Sequence, residues 1–326
     1  MNSIPFVQYL AERGRLDWRI PDEYGCSERN LDCRQLCALE VMKWKGEKNP
    51  VSIFLDPFNA VSDRLMLRRA EPVLHHPWKL TAFPALQDDK LQHLVRSIFE
   101  IEGYCLLYYK AVNVPFSAYH GKHDVIHWLL LADLTDTQVT VIDDTGLPPY
   151  FDGYQAVIPN HIFFPALQAS GHAGAAILRH QEEPATDLGL EWFPKLAAQS
   201  ATKMLQDGGL DSIAHFADAL EQAERAELLE SLEQLEFDVH YFRKLRVLWD
   251  TAVERKNIPE LYLKPEWTSA LKEACNQWSY AVGVLMKWKR QPERDYRQRL
   301  VGYIHDALAA EERLAQELKQ LSEVSA

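Results

Sequence analysis

The sequence predicts an α+β chain in two parts, a mixed domain over residues 1–185 and an all-helical domain over residues 186–326. The length of 326 residues favours this division, because a domain takes roughly 150 residues. Helix-like and strand-like patterns alternate in the first part. In the second part apolar residues recur every three to four positions among many Ala, Glu and Leu residues, which is typical of amphipathic helices.

The clearest single element is a helix near the N-terminus. Leu36, Leu39 and Met42 recur at helical spacing, so residues 34–45 are predicted to be helical, with Gly46 just past the end. The other assignments in this part are a helix over 87–103, a strand over 104–112, two strands around an Asp/Thr turn over 127–144, and a strand over 171–180. In the second part, helix breaks are expected at Gly208-Gly209, Pro259, Pro265 and Pro292.

Composition limits the possible partners and the compartment. The net charge is 35 − 47 = −12, so nucleic acids and anionic membranes are poor partners for this chain. The longest apolar runs, WLLLA and AVGVLM, are too short to span a bilayer, and the N-terminus does not read as a signal peptide. Five cysteines are an odd number, which favours free thiols. The sequence therefore predicts a cytoplasmic protein with neither a nucleic-acid nor a membrane partner.

Two cysteines, Cys33 and Cys37, lie one helical turn apart in the predicted helix. A redox pair usually has the spacing Cys-x-x-Cys, and a disulfide across one helical turn would be strained. Cys26 lies close by, and His120, His123 and His127 form a second group, but neither set has the paired spacing of a structural zinc site. No metal is therefore predicted, although a catalytic metal held by histidines remains an open alternative.

The two cysteines differ in their position on the helix. Cys37 shares a face with apolar residues, so it is predicted to pack in the core. Cys33 lies in the first turn, where free backbone N–H groups and the helix dipole favour a thiolate. We therefore expect Cys33 to be a nucleophile with a lowered thiol pKa.

A base and an orienting acid for this nucleophile are predicted in the hairpin over 127–144. His127 opens an apolar strand, and Asp143 ends the next one. A hairpin centred on Thr135 would place the two directly opposite each other, whereas a turn centred between residues 136 and 137 would place Leu130 opposite Asp143. The carboxylate could also belong to an ordinary strand-end cluster, which the run Asp-Asp-Thr-Gly fits.

The segment DCRQLCALEVMKWKG resembles the cysteine segment of the double-glycine leader peptidases, which have a papain-like fold. Cys33 and Gly46 keep their interval, 46 − 33 = 13, and HWLLLADLTDTQVTVID resembles their His-strand-turn-strand-Asp segment. The resemblance implies that Cys33 is the nucleophile, His127 the base and Asp143 the acid. Ser27 stands where those peptidases have the oxyanion-hole Gln, and Arg34 stands where they have Gly. The oxyanion candidates here are thus Ser27, Asn30 and backbone N–H groups.

Over residues 25–320 the chain is similar to the butirosin biosynthesis protein H family. The likeness is carried by IEGYCLLYYKAVNVPFSAYHGKHDVIHWLLLADLTDTQVTVIDD, FRKLRVLWDTAVE and AAEERLAQEL. It implies a papain-like cysteine peptidase fold followed by a helical domain. It also implies a cysteine-dependent acyltransferase of nonribosomal peptide or polyketide biosynthesis. Cys33 would take an acyl or aminoacyl group from the phosphopantetheine thioester of an acyl or peptidyl carrier protein. A small-molecule amine or other nucleophile would accept it, and no bound cofactor is expected.

Two other functions remain open on the same residues. One is a cysteine peptidase or thioester hydrolase, and the other is a non-catalytic module that binds a peptide or a carrier protein. Because the chain is acidic, docking of an acidic carrier would need a local basic patch. Residues 287–299, and the group Arg64, Arg68 and Arg69, are candidates, with ordinary solvated helix faces as the alternative.

Overall fold

The structure is a computed structural model, and it describes residues 4–14, 16–70, 72–75, 77–83, 90–181 and 192–324. The helices are α1 (Phe6–Arg13), α2 (Cys33–Trp44), α3 (Pro50–Phe54), α4 (Lys90–Glu102), α5 (Asn160–Ala169), α6 (Trp192–Leu205), α7 (Gly209–Gln222), α8 (Arg225–Glu254), α9 (Pro265–Arg290) and α10 (Arg297–Val324). The strands are β1 (Val61–Asp63), β2 (Met66–Arg68), β3 (Trp78–Phe83), β4 (Cys105–Lys110), β5 (Ile126–Leu134), β6 (Gln138–Ile142), β7 (Phe151–Asp152), β8 (Gln155–Pro159) and β9 (Ala173–His180).

The chain forms two compact units, and the mixed α+β class is as predicted. The first unit comprises Met1–Ile53 and Leu74–Glu182, and the second comprises Phe54–Val73 and Glu183–Ala326. The predicted division into residues 1–185 and 186–326 did not anticipate that 54–73 would belong to the second unit. This segment is held there because the Trp249 indole donates to the Asp56 carbonyl at 2.9 Å and the Phe58 amide donates to the Ser200 hydroxyl at 3.0 Å.

The first unit is built on a seven-stranded antiparallel sheet in the order β3-β9-β4-β5-β6-β8-β7. On one face, buried residues of β5 such as Leu129 and Leu131 pack with Val95 of α4 and Phe163 of α5. The opposite face is covered by α1 and α2, since the Tyr104 ring next to β4 meets the Phe6 ring of α1 at 6.2 Å and the Trp44 ring of α2 at 5.9 Å. Helices on both faces bury most of the central strands β4 and β5.

Helix α2 begins one residue earlier than predicted, at Cys33, and Gly46 follows it with a φ of +88°. Its N-cap is Asp32, whose side chain accepts a hydrogen bond from the backbone N–H of Gln35 at 2.8 Å. The Gln35 side chain accepts in turn from the Asp32 amide at 3.1 Å, which completes a capping box. The capping box fixes the start of the helix, so Cys33 is its first residue.

The hairpin of β5 and β6 has a different register from either prediction. The turn is centred between residues 136 and 137, as in the second alternative, because Asp133 pairs with Thr140. A bulge between Leu131 and Asp133 then shifts the pairing by one residue, so Leu130 lies opposite Ile142. The alternative in which a turn centred on Thr135 places His127 directly opposite Asp143 is therefore not the one found, and Asp143 lies just beyond the paired part of β6.

The second unit is a helical bundle with a core rich in tryptophan. Trp249, Trp267, Trp278 and Trp288 are fully buried. Inside it, Arg246 and Glu311 form a buried ion pair at 2.7 Å. Among the described residues, no helix is both long enough and apolar enough to cross a membrane.

Candidate active site

The structure brings Cys33, His127 and Asp143 together in the first unit. Cys33 opens helix α2, His127 is the second residue of β5, and Asp143 follows β6. The His127 imidazole lies with Nε2 2.7 Å from Asp143 Oδ1, and Cys33 is close enough to the ring to raise the pKa of His127. Since Nε2 faces the carboxylate, Nδ1 is the ring nitrogen available to the thiol. The order thiol, imidazole, carboxylate is the one that nucleophilic catalysis requires.

Asp143 is held in place by four hydrogen-bond donors and has no exposed surface. Oδ1 accepts from His127, from the Thr145 amide at 2.6 Å and from the Thr145 hydroxyl at 2.9 Å. Oδ2 accepts from the Tyr109 hydroxyl at 2.9 Å. Burial tends to raise the pKa of Asp143, but the charge of His127 and the donated hydrogen bonds hold it below its usual value. The carboxylate is thus ionised at neutral pH.

His127 is enclosed by aromatic rings. Tyr109 and Tyr119 both meet its ring edge to face, at 5.4 and 5.5 Å between ring centres, and only 1% of the side chain is exposed. Burial alone would lower the pKa of His127, but the Asp143 charge and the interaction with Cys33 raise it well above its ordinary value. The environment therefore stabilises the imidazolium that forms when His127 accepts a proton, and the Asp143 charge is the main cause.

The Cys33 thiol does not have the lowered pKa that was expected from its place at a helix N-terminus. Burial raises the thiol pKa, and the charge and hydrogen bond of His127 only partly oppose the rise. Desolvation of the thiolate outweighs the helix dipole, whose effect is modest and confined to the first turn. Thiolate formation at Cys33 consequently depends on His127 rather than on the helix alone.

Cys37 is only 1% exposed, and burial raises its thiol pKa well above the usual range. These properties suit a packing residue, whereas Cys33 keeps partial exposure. The two cysteines of the helix are thus distinct in environment as well as in position.

The two side chains predicted as oxyanion candidates, Ser27 and Asn30, are engaged in their own loop. The Asn30 amide nitrogen donates to the Gly25 carbonyl at 2.9 Å, and its amide oxygen accepts from the Ser27 amide at 2.9 Å. The Ser27 hydroxyl accepts from the Arg29 amide at 3.3 Å. Both residues are almost fully buried, so their geometry points to loop structure.

A possible metal-binding group overlaps with this site. His127, Asp143 and Asp144 each offer a ligand atom, and these atoms lie within 4.8 Å of one another. His120 and His123, which the sequence groups with His127, are not part of this set. Both oxygens of Asp143 already accept hydrogen bonds, so a cation would have to displace donors that fit an anion. The donor set suits an imidazole–carboxylate pair better than a metal, and the absence of a metal stays a prediction.

Four residues of the site were missed by sequence reasoning. Tyr109 lies on the strand next to β5 and pairs directly with His127, which no local pattern reveals. Thr145 belongs to the Asp-Asp-Thr-Gly run that also reads as a turn, and Asp144 lies 3.5 Å from His127 Nε2. Gln35 had a readable signal, since an Asp followed three residues later by Gln is typical of a capping box.

The two basic segments considered for docking are partly neutralised within the second unit. Arg64 pairs with Glu227 at 2.8 Å, and Lys289 pairs with Glu233 and Glu236 at 2.5 and 2.8 Å. Arg69 is nearly buried, with its guanidinium over the Tyr241 ring. These contacts favour the alternative that both segments are ordinary parts of the helical unit.

Comparisons with known proteins do not identify a family for this chain. No family model matches the chain, and no curated protein matches it significantly.

Proposed function

We propose that this protein is a cysteine-dependent acyltransferase in which Cys33 carries the acyl group. The observation that carries the proposal is the buried His127–Asp143 pair beside a thiol at the first position of a helix. A buried imidazole with a raised pKa, oriented by an ionised carboxylate, is a costly arrangement that structural packing does not require. As its resemblance to the butirosin biosynthesis protein H family implies, the acyl donor would be a phosphopantetheine thioester on a carrier protein.

In the first step the Cys33 sulfur attacks the thioester carbonyl, and His127 takes the thiol proton. The tetrahedral intermediate collapses with loss of the pantetheine sulfur, which receives that proton and leaves as a thiol. The acyl group is then a thioester on Cys33. One thioester replaces another, so the step needs orientation more than driving force.

In the second step an amine attacks the acyl-enzyme, and His127 accepts the amine proton. Cys33 leaves as the thiol after taking this proton, and an amide is the product. General-base assistance of this kind contributes about 10²- to 10⁴-fold. Water would give the free acid in the same step, so the near-complete burial of His127 supports transfer over hydrolysis.

We include the papain-like fold of the first unit in this proposal. It is supported by the chain order of a helix that begins with Cys33, a strand that carries His127, and an adjoining strand followed by Asp143. Activity in natural-product assembly, with carrier protein and amine as partners, follows from the same resemblance.

The test is to incubate the protein with acyl-loaded carrier protein and to measure the acyl mass on the peptide that contains Cys33. We expect an adduct in the wild type and in Cys37→Ala, and none in Cys33→Ala. Addition of an amine acceptor should then yield the amide. An adduct that persists in Cys33→Ala contradicts the proposal.

The products distinguish the alternatives on the same residues. Free acid or cleaved peptide as the sole product indicates a hydrolase or a peptidase. Full biological activity of Cys33→Ala indicates a binding module without catalysis.

A further inference from the structure

The side-chain amide of Gln35 is a buried donor without a partner. Gln35 is fully buried, and its Oε1 accepts a hydrogen bond from the Asp32 amide at 3.1 Å. Its Nε2 is shielded from solvent and has no hydrogen-bond partner among the residues that the structure describes. A buried donor of this kind costs about 1–3 kcal/mol, so its presence needs a reason.

The capping box does not provide that reason. Capping requires only an acceptor oxygen at this position, and a glutamate would serve as well as a glutamine. What glutamine adds is the N–H₂ group, which is the part that has no partner. The residue type therefore points to a requirement for a donor.

The position of this donor is set by the cap. Because Nε2 and Oε1 belong to one planar amide, the bond from Oε1 to the Asp32 backbone keeps Nε2 at the N-terminus of α2. The backbone N–H of Cys33 is in the same first turn, where N–H groups have no partner within the helix. Two donors thus lie in the first turn of the helix that begins at the nucleophile, while Ser27 and Asn30 are engaged in their loop.

We propose that Gln35 Nε2 and the Cys33 backbone N–H form the oxyanion hole of this site. The inference rests on the proposed acyl transfer and adds a catalytic residue to it. The two donors bind the carbonyl oxygen as it becomes an oxyanion during attack by the Cys33 sulfur. The glutamine thus follows the nucleophile within the same helical turn, whereas the glutamine of the leader peptidases precedes their nucleophile.

The experiment compares two reactions of Cys33. Single-turnover acylation by an S-acyl-N-acetylcysteamine thioester passes through an oxyanion, whereas alkylation by iodoacetamide displaces iodide without forming one. Both are followed as mass added to the peptide that contains Cys33. The variant Gln35→Glu keeps the capping oxygen and loses the donor, and Gln35→Met is the second variant if the added charge unfolds the chain.

Loss of one oxyanion donor costs about 10²- to 10³-fold in rate, so both variants should acylate more slowly by this factor. In Gln35→Met the rate and pH profile of alkylation should stay as in the wild type, because that variant adds no charge near the thiol. In Gln35→Glu the alkylation profile should move to higher pH, because nearby carboxylates raise the pKa of Cys33, so the rates of that variant are compared at the plateau of each profile. Ser27→Ala tests the alternative donor and should leave both reactions unaltered.

Three outcomes overturn the assignment. Equal loss of acylation and alkylation would mean that Gln35 acts on the thiol or on folding. Undiminished acylation in both Gln35 variants removes Gln35 from the site but leaves the acyltransferase proposal intact. A wild type that is alkylated and yet not acylated by thioester or loaded carrier contradicts the proposed function and the oxyanion hole with it.

Discussion

Replacing Asp143 by asparagine removes one charge from the buried pair while keeping most of its hydrogen bonds. The amide oxygen can accept the bonds that Oδ1 accepts from His127 and Thr145. The amide nitrogen would face the Tyr109 hydroxyl, whose oxygen can accept a hydrogen bond where it now donates one. The substitution therefore tests the charge of the carboxylate more than its shape.

The size of the effect can be bounded from this geometry. A hydrogen bond to a charged group is worth about 1.5–3 kcal/mol and one between neutral groups about 0.5–1.5 kcal/mol, so at least about 1 kcal/mol is lost. Full loss of a charge pair at the protein's effective dielectric is bounded at about 4 kcal/mol. Each 1.36 kcal/mol is tenfold in rate, so acyl transfer by Asp143→Asn should fall by about 5- to 10³-fold.

Asp144→Asn is the matched control, since it removes an equal charge one residue away. Asp144 lies 3.5 Å from His127 Nε2, and its side chain is slightly exposed. This contact is longer than the 2.7 Å contact of Asp143 and is beyond good hydrogen-bond distance, so the rate should fall less in Asp144→Asn than in Asp143→Asn.

The assay is single-turnover acylation of Cys33 as a function of pH. In Asp143→Asn, His127 loses the charge that raises its pKa, while burial still lowers it. The acid limb of the rate profile should therefore move to lower pH as the plateau drops. Equal rate losses in the two variants, or a larger loss in Asp144→Asn, would refute the assignment of Asp143 as the orienting acid.

Three further predictions concern the thiol and the second unit. Alkylation of Cys33 should increase from neutral to alkaline pH, because its pKa is raised, and His127→Ala should slow it at pH 7 by leaving burial unopposed; a fast plateau in mildly acidic buffer would contradict this. Burial and nearby cations lower the pKa of His240 to about 3 in the folded protein, whereas a histidine in the unfolded chain has a pKa of 6.5. Between these two values the unfolded state binds a proton that the folded state does not, so the free energy of unfolding decreases as the pH is lowered. Urea unfolding at pH 7 and pH 5 should show a loss of about 2 kcal/mol that is absent in His240→Gln; an equal loss in both proteins would exclude His240 as its source. Glu311→Gln leaves the buried Arg246 uncompensated and should cost about 3–5 kcal/mol in the same assay, while Arg246→Met combined with Glu311→Leu should restore much of it; no recovery in the double variant would contradict the charge argument.

Local features of the first unit could be predicted from the sequence. Helix α2 was expected within one residue at its N-terminus, because apolar spacing and Gly46 mark it. Strand β4, strand β9 and the turn before β6 also follow from residue patterns over a few positions. The helix α5, the strand β3 and the pair β7 and β8 were not predicted, since their short segments lack a distinctive period.

Non-local features could not be predicted in this way. The bulge after Leu131 changes the register of the hairpin, yet the His127–Asp143 contact forms, because Asp143 reaches the ring from beyond the end of β6. The pairing of β4 with β5 places Tyr109 beside His127, and neighbour order in a sheet is a property of the whole chain. The membership of residues 54–73 in the second unit has the same origin, since contacts with distant helices decide it.

The raised thiol pKa of Cys33 also changes how its reactivity should be understood. A helix N-terminus alone would make the thiolate abundant and open to any electrophile, whereas burial here keeps the thiol protonated. Attack then requires His127 to take the proton, and His127 can hold it because Asp143 balances the charge. A substrate whose carbonyl is held at the start of α2 would engage all of these groups at once, while a stray electrophile would engage only the thiol. The proposed acyl transfer has the same requirement, since a carrier-bound thioester would be positioned before it reacts.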